Sequence, residues 1–152
     1  MIFGGESRVH RRLIDSLYVE AMVLADEARG YFDEGGRTDR DMLAPMERVA
    51  FSCESLKVTT RLMHIIAWLL TQRAIDAGEL TLREALDPSR RLGTAPVTDA
   101  AVFATLPVVA RGLIECSADL HRRVSRLDQS QEMEAPLPSP ARSIQDRLAL
   151  AF

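Results

Sequence analysis

One segment, from about Pro45 to Ala77, carries two apolar seams at helical spacing and constrains the fold more than any other stretch. Steps of three and four residues keep side chains on one face of a helix that turns about every 3.6 residues. The first seam consists of Val49, Cys53, Leu56, Thr60, Met63, Ala67, Leu70 and Ala74. The second seam consists of Phe51, Val58, Leu62, Ile65 and Leu69, and it lies roughly on the opposite face. A helix with apolar residues on both faces needs partners on both sides, so the pattern predicts the central helix of a bundle.

Two further long helices are predicted, and each has one apolar seam. The first runs from about Ser7 to Glu34, where we expect Gly35-Gly36 to end it in a left-handed conformation. Its seam is Ile14, Leu17, Ala21, Leu24, Ala28 and Tyr31. The other runs from about Leu106 to Gln129, with the seam Leu106, Ala110, Leu113, Ser117, Leu120, Val124 and Leu127. The matched seams predict an all-α, antiparallel three-helix bundle of long helices.

The chain divides into a helical bundle domain, residues 1–133, and a tail, residues 134–152. Three prolines within residues 136–140 break helical structure, so we expect a semi-rigid linker and a flexible tail. Beyond the linker, residues 141–152 can form a short amphipathic helix with Ile144, Leu148 and Phe152 on one side. A dozen residues make a marginal helix alone. An apolar segment on a proline-rich tether suits a docking peptide or a protease recognition tag, and the pattern does not separate the two.

The residues show no catalytic or metal-binding constellation. His64 has Trp68 at the i+4 position where a second metal ligand would stand, and His10 and His121 lie on other helices. Cys53 belongs to an apolar seam, which favours a packing role over a reactive thiol. Nucleophile-elbow and phosphate-loop patterns are missing from the sequence. We therefore predict a protein that is not an enzyme and that uses no cofactor.

Charge and hydropathy give no electrostatic reason to expect a nucleic acid or membrane partner. The formal net charge is −3, and the sequence pI is about 5.6. The longest wholly apolar run, Ile65 to Leu70, is far shorter than a membrane span, and the N-terminus lacks a signal-peptide pattern. The chain is therefore predicted to be cytoplasmic.

An alternative is a DNA-associated transcriptional or cell-cycle regulator. The pattern from Thr81 to Glu84 predicts a short capped helix, and Arg83, Arg90 and Arg91 make its surroundings basic. A short helix beside a basic loop is a weak form of what a DNA-binding protein needs.

Trp68 leaves two interpretations open, because it can lie in the core or against a second subunit. Leu70, as a seam residue, is assigned to the core, so Leu70→Ala is predicted to cost about 2–5 kcal/mol through a cavity. The candidate partner-binding residues are Arg61, Trp68, Arg90, Arg91, Leu148 and Phe152.

The central segment also carries a family resemblance. Its motifs are Glu54-Ser55-Leu56, Thr59-Thr60-Arg61-Leu62 and Trp68-Leu69-Leu70-x-x-Arg73-Ala74. Similar matches occur at Leu17-Tyr18-x-Glu20-Ala21, Tyr31-Phe32 and Gly78-Glu79. Over roughly residues 10–130 the chain resembles the RcdA family, the alphaproteobacterial regulators of CtrA degradation, also called DUF1465.

The resemblance implies a dimeric three-helix bundle without catalytic activity. It further implies a proteolysis adaptor that joins a ClpXP protease primed by a response regulator and helps to deliver CtrA and other cell-cycle substrates. A flexible C-terminal tail contributes to partner binding in that family. The expected partners are therefore proteins, namely ClpX with its response regulator, the protease substrates and a second copy of the chain.

Overall fold

The computed structural model describes residues 2–134 and 140–151, and its regular elements over these ranges are all helical. This confirms the all-α prediction. The long helices are α1 (Ile2–Gly30), α3 (Pro45–Asp76) and α6 (Val108–Glu134). The shorter ones are α2 (Arg37–Asp41), α4 (Leu82–Ala85), α5 (Ala100–Thr105) and α7 (Pro140–Ala151). A π-helical turn at Tyr31–Gly35 follows α1, and a 3-10 turn at Pro88–Arg90 follows α4.

The ends of α3 follow from local chemistry. Pro45 occupies its first turn, where a missing N–H costs nothing, and the Glu47 carboxylate accepts a 3.2 Å hydrogen bond from the Ala44 N–H. At the other end Gly78 adopts φ 74°, a left-handed conformation that glycine reaches without steric cost. The capping pattern predicted after it is also present, because the Thr81 hydroxyl accepts from the Glu84 N–H at 3.1 Å.

One apolar core is shared by the three long helices, each of which packs against the other two. The predicted seams of α1 and α6 supply its outer walls, including Ile14, Ala21 and Val124, which are fully buried. The second seam of α3 supplies the centre, with Val58, Ile65 and Leu69 at 0% exposure.

The direction of α6 corrects the antiparallel prediction. Arg61 bonds Ser117, Trp68 bonds Asp128 and Gln72 bonds Gln131, so residue numbers rise together along α3 and α6 and these helices are parallel. Of the other two long helices, α1 runs antiparallel to α3, because Asp15 pairs with Arg73 while Ala28 lies beside the earlier residue Leu62. The reason is the connection of residues 77–107, which returns along the length of the molecule before α6 begins.

A second correction concerns the first seam of α3, which the structure leaves largely exposed. Val49, Leu56, Met63 and Leu70 are 56%, 68%, 64% and 47% exposed, and Cys53 is also exposed. Leu70 therefore cannot leave a core cavity, and Cys53 has no packing role within the chain. Two neighbouring helices cover one side of α3, and nothing in the described part of the chain covers the other.

Gly36 ends the first helical region by a different mechanism from the one predicted. Its φ is −90°, so it is not left-handed. Instead a Cβ at this position would lie 2.7 Å from the Tyr31 carbonyl oxygen, which accepts a hydrogen bond from the Gly36 N–H. Glycine is needed here because the backbone approaches itself closely.

Candidate functional site

The solvent-facing side of α3 is a long surface without charge, which we call the α3 outer face. Helical spacing places Val49, Ser52, Cys53, Leu56, Thr59, Thr60, Met63, Ala67, Leu70, Thr71 and Ala74 on it, and His64 lies at its edge. Every residue of α3 is described, and none of those on the face itself is an Asp, Glu, Lys, Arg or His. A contiguous uncharged surface with exposed apolar side chains is often an interaction site.

A pocket opens beside this face, between α1 and α3. Its volume is about 330 Å³. It is lined by Ala25, Ala28, Arg29, Phe32, Asp33, Ser55, Thr59, Leu62, Met63 and Ile66. Since Thr59 and Met63 belong to both features, the face and the pocket form one continuous surface. Methionine side chains such as Met63 adapt to differently shaped partners.

An aromatic cluster supports the pocket from the end of α1. The rings of Tyr31, Phe32 and Phe51 meet edge to face, with centroids 5.2, 5.3 and 6.0 Å apart. The Tyr31 hydroxyl donates to Asp39 at 2.9 Å. Burial, together with this bond and the negative charge of Asp39, raises the pKa of Tyr31 above its ordinary value. The π-helical turn thus holds one wall of the pocket in a defined position.

Two of the candidate contact residues lie inside the protein. Arg61 is 2% exposed and donates to Ser117 at 3.0 Å and to the Pro96 carbonyl at 2.8 Å. Burial lowers the pKa of Arg61, and the charge of Glu54 opposes that shift. Trp68 is 3% exposed and belongs to the core, which decides between its two interpretations. Both side chains therefore act within the chain and are not offered to a partner.

Arginines of the basic loop form ion pairs and hydrogen bonds within the chain. Arg91 binds Asp128 through two hydrogen bonds of 2.8 and 2.9 Å and reaches Glu132 at 3.2 Å. The bonds to Asp128 raise the pKa of Arg91, against a smaller opposing effect of burial. Asp128 also accepts the Trp68 indole N–H at 3.0 Å. Arg90 is exposed and donates to the Glu84 carbonyl at 3.1 Å.

The sequence did not reveal these internal links, which fasten the 91–98 segment to α3 and α6. Besides Arg61 and Arg91, the Glu54 carboxylate accepts from Thr98 at 2.6 Å, and His121 bonds the Gly93 carbonyl at 2.9 Å. In the sequence, the only sign of these links is that three polar residues, Glu54, Arg61 and Gln72, interrupt the apolar positions of α3. These links join residues 28 to 44 positions apart.

The tail carries the other candidate contacts. Leu148 lies on α7 and is 54% exposed, and Ile144 on the same side is 58% exposed. Phe152, the last candidate, lies outside the described residues. The part of the tail that is described therefore presents an apolar stripe to solvent.

Neither a metal-binding cluster nor a membrane-spanning helix occurs among the residues that the structure describes. No group of three or more His, Cys, Asp or Glu side chains is placed to hold a metal ion there. Among the described helices, none has the length and apolar character to cross a membrane.

Comparison with known proteins decides the family. The profile described as "protein of unknown function (DUF1465)" matches residues 5–152. The chain belongs to the RcdA (DUF1465) family. It is similar to the crystal structure of RcdA from Caulobacter crescentus CB15, with 31% sequence identity and a TM-score of 0.64. That match covers 78% of this chain and 90% of the Caulobacter chain. No curated protein matches the sequence.

Proposed function

We propose that this RcdA-family protein is a non-enzymatic adaptor of ATP-dependent proteolysis. It helps to deliver cell-cycle regulators, such as the CtrA response regulator, to the ClpXP protease. Family membership and the similarity to RcdA support the regulatory role. The observation in this chain that carries the proposal is the uncharged α3 outer face with its adjoining pocket, a surface suited to protein partners.

The adaptor would act in the cytoplasm as a homodimer of three-helix bundles. In each bundle one side of α3 forms the core, and the outer face remains for subunit contact. Interfaces between subunits are enriched in apolar and methionine side chains and depleted of charge at their centres, as this face is.

The tail supplies the second contact, to ClpX or its response regulator. The exposed side of α7, with Ile144 and Leu148, can be buried in an apolar groove of such a partner. Because α7 is connected to α6 by a proline-containing linker, the bundle and the tail can hold different partners at the same time.

A capture experiment tests the adaptor role. Full-length protein is compared with the Leu148→Glu variant, which places a charge on the apolar side of α7. Leu150→Glu is the matched control, because Leu150 is 90% exposed and lies on another side of that helix. We expect wild type and Leu150→Glu to retain purified ClpX or its response regulator, and Leu148→Glu to lose at least about tenfold in affinity. If none of the three proteins retains these components or accelerates CtrA degradation, the proposal is wrong.

The structure supports the DNA-associated alternative less than the sequence does. Arg83 and Arg90 are exposed, but Arg91 is paired with two carboxylates. That alternative requires duplex binding that falls steeply with salt and that decreases in an Arg83→Gln, Arg90→Gln variant. Binding of this kind, without capture of a protease component, would favour it.

A further inference from the structure

A second surface lies between α1 and the C-terminal half of α6, on the side of the bundle opposite α3. Its register follows from one contact, in which Arg123 donates two hydrogen bonds to the Glu20 carboxylate. The two helices run in opposite directions and rise equally, by about 1.5 Å per residue, away from that contact. The residues that are level with each other are Ser16 and Leu127, Leu13 and Ser130, and Val9 and Glu134.

These residues form two rows that face the same seam. Each row continues from the Glu20–Arg123 contact in steps of four, three and four residues, which keeps side chains on one face of a helix. The row on α1 is Glu20, Ser16, Leu13 and Val9, and the row on α6 is Arg123, Leu127, Ser130 and Glu134. Because the first members of the rows meet, the later members lie along the same seam.

The part of this seam below the Glu20–Arg123 contact is not filled. Val9 is 68% exposed and Leu13 is 40% exposed, although both lie beside a neighbouring helix. At their levels α6 offers Ser130 and Glu134, of which the first is too small and the second too polar to cover an apolar side chain. The result is a shallow groove with an apolar floor. We call it the α1–α6 groove, and its residues are Val9, Leu13, Ser16, Leu127 and Ser130.

Arginines border the groove on both helices. Arg12 precedes Leu13 and Arg126 precedes Leu127, and a helical step of about 100° places each arginine on the solvent side of the groove. Both side chains are exposed, as is Arg8 one turn before Arg12. Within the described part of the chain, none of these three arginines forms an ion pair. The chain as a whole has a net charge of −3, so this border is a local exception.

We propose that the α1–α6 groove binds an acidic amphipathic helix of a protein partner. Apolar side chains of that helix would cover Val9 and Leu13, and carboxylates beside them would pair with Arg12 and Arg126. From Val9 to Glu20 the groove measures 11 residue steps, or about 16 Å, which is roughly three helical turns. A contact of this length is small, so we expect a weak, transient complex. The groove lies apart from the α3 outer face and from α7, and it adds a third contact surface to the proposed function.

Charge and shape favour such a helix over the other occupants. A second copy of the chain would bring the same arginines against each other. The chain's own α7 carries two arginines and one aspartate, so its charge does not complement the border. A bilayer is flat on this scale and does not reach the floor of a groove. Nucleic acid is held through its phosphates and would leave the apolar floor uncovered.

Fluorescence anisotropy with a designed peptide tests the proposal. The probe is a fluorescein-labelled helical peptide of about 16 residues, with leucines at positions i, i+4 and i+7 and glutamates on both sides of them. A peptide of the same composition, with its leucines spread around the helix, controls for charge alone. We expect full-length protein to bind the amphipathic peptide at least about tenfold more tightly than the control peptide. The affinity should fall as the salt concentration is raised.

Variants of the groove locate the binding site. The Arg12→Glu, Arg126→Glu variant should bind the acidic peptide at least about tenfold more weakly, because like charges then face each other. It should bind a peptide with lysines in place of the glutamates more tightly than wild type does. The Arg83→Glu, Arg90→Glu variant is the control, since it changes the net charge equally at another exposed site. Leu13→Ser should weaken binding at least about fivefold without changing the salt dependence.

Several outcomes would overturn the proposal. Equal binding of the two acidic peptides, or binding of neither at about 1 mM, would show that the groove is not a docking site. Wild-type affinity in both Leu13→Ser and Val9→Ser, with circular dichroism confirming the fold, would show that the apolar floor takes no part. Binding of duplex DNA or of phosphatidylserine vesicles that depends on Arg12 and Arg126, without peptide binding, would show a different class of partner.

Two further comparisons separate the groove from the tail and from the adaptor role. If a chain ending at Glu134 bound the peptide at least about tenfold more tightly than the full-length protein, the chain's own tail would be the occupant, and the proposal would be wrong. All these measurements use only purified protein and defined ligands. A groove that binds the peptide in a protein that captures no protease component would stand while the adaptor role fell, and the converse result would do the reverse.

Discussion

At the scale of single residues, Asp128 is the most connected side chain of the structure's interior. It is 6% exposed and accepts hydrogen bonds from the Trp68 indole and from both arms of Arg91. Removing it leaves the buried Trp68 indole N–H without its acceptor and the half-buried Arg91 guanidinium with Glu132 alone. The link therefore couples the core to the position of the loop that carries Arg91.

We expect Asp128→Ala to lower the free energy of unfolding by about 1–3 kcal/mol, as is typical when a buried hydrogen-bond donor loses its acceptor. Urea unfolding followed by the fluorescence of Trp68, the one tryptophan in the sequence, measures both the loss and the altered environment of the indole. Asp119→Ala is the control, since Asp119 forms only exposed pairs with Arg122 and Arg123, which typically contribute about 0–1 kcal/mol. Equal effects of the two substitutions would contradict the role of Asp128.

Tyr31 gives the protein a dependence on alkaline pH. Its pKa in the folded state is raised by burial and by Asp39, whereas the unfolded chain has the ordinary value near 10. The neutral phenol is thus favoured by folding, and this stability is fully present below about pH 10 and is lost as the pH rises toward the folded pKa. Denaturant unfolding between about pH 9 and about pH 11 (roughly one unit below to one above the unfolded pKa) measures it.

The Tyr31→Phe variant should lose less stability than wild type over that range. Tyr18→Phe removes the other tyrosine hydroxyl of the chain and should retain the wild-type loss. Identical pH profiles for wild type and Tyr31→Phe would refute this account of Tyr31.

At the scale of elements, α3 is a helix with two different apolar sides. One side, with Leu69 at 0% exposure, forms the core. The other side, with Leu70 at 47%, faces solvent in a single chain. Adjacent residues of the same type therefore have different roles.

Paired alanine substitutions separate these roles. Leu69→Ala should destabilise the protein by about 2–5 kcal/mol, because it leaves a cavity. Leu70→Ala should change the stability by less than about 1 kcal/mol when the protein is dilute enough to be monomeric. Thermal and urea unfolding at low protein concentration compare them, and a large loss for Leu70→Ala would show that the outer face is covered within one chain.

At the scale of the whole molecule, the bundle and the tail are expected to be energetically separate. The core draws its buried residues from α1, α3 and α6 and from Leu106 just before α6, with Ala85 of α4 buried separately. The described side chains of α7 are all exposed. Partner binding by the tail would then leave the fold of the bundle unchanged.

A chain ending at Glu134 should accordingly have a melting temperature within about 2 °C of the full-length protein. It should at the same time lose the capture of ClpX or its response regulator. Differential scanning calorimetry at matched concentrations gives the comparison, and a fall of many degrees would show that the tail packs on the bundle.

The sequence by itself determined the three long helices and the seams of α1 and α6. Local patterns are sufficient there, because a capping residue such as Thr81, a first-turn Pro45 or a three-four apolar spacing acts within a few residues. The family resemblance was also readable, since its motifs are contiguous in α3.

Only the tertiary structure decided the rest. Periodicity shows that α3 has two apolar sides, but which one enters the core depends on where α1 and α6 lie. The path of residues 77–107, which makes α6 parallel to α3, depends on polar links such as Arg61 to Pro96 and Arg91 to Asp128. Those links join residues 35 and 37 positions apart, and no local pattern contains them. The first apolar seam of α3 was present in the sequence, and it indicated an interaction surface only once the structure had placed that side of α3 in solvent.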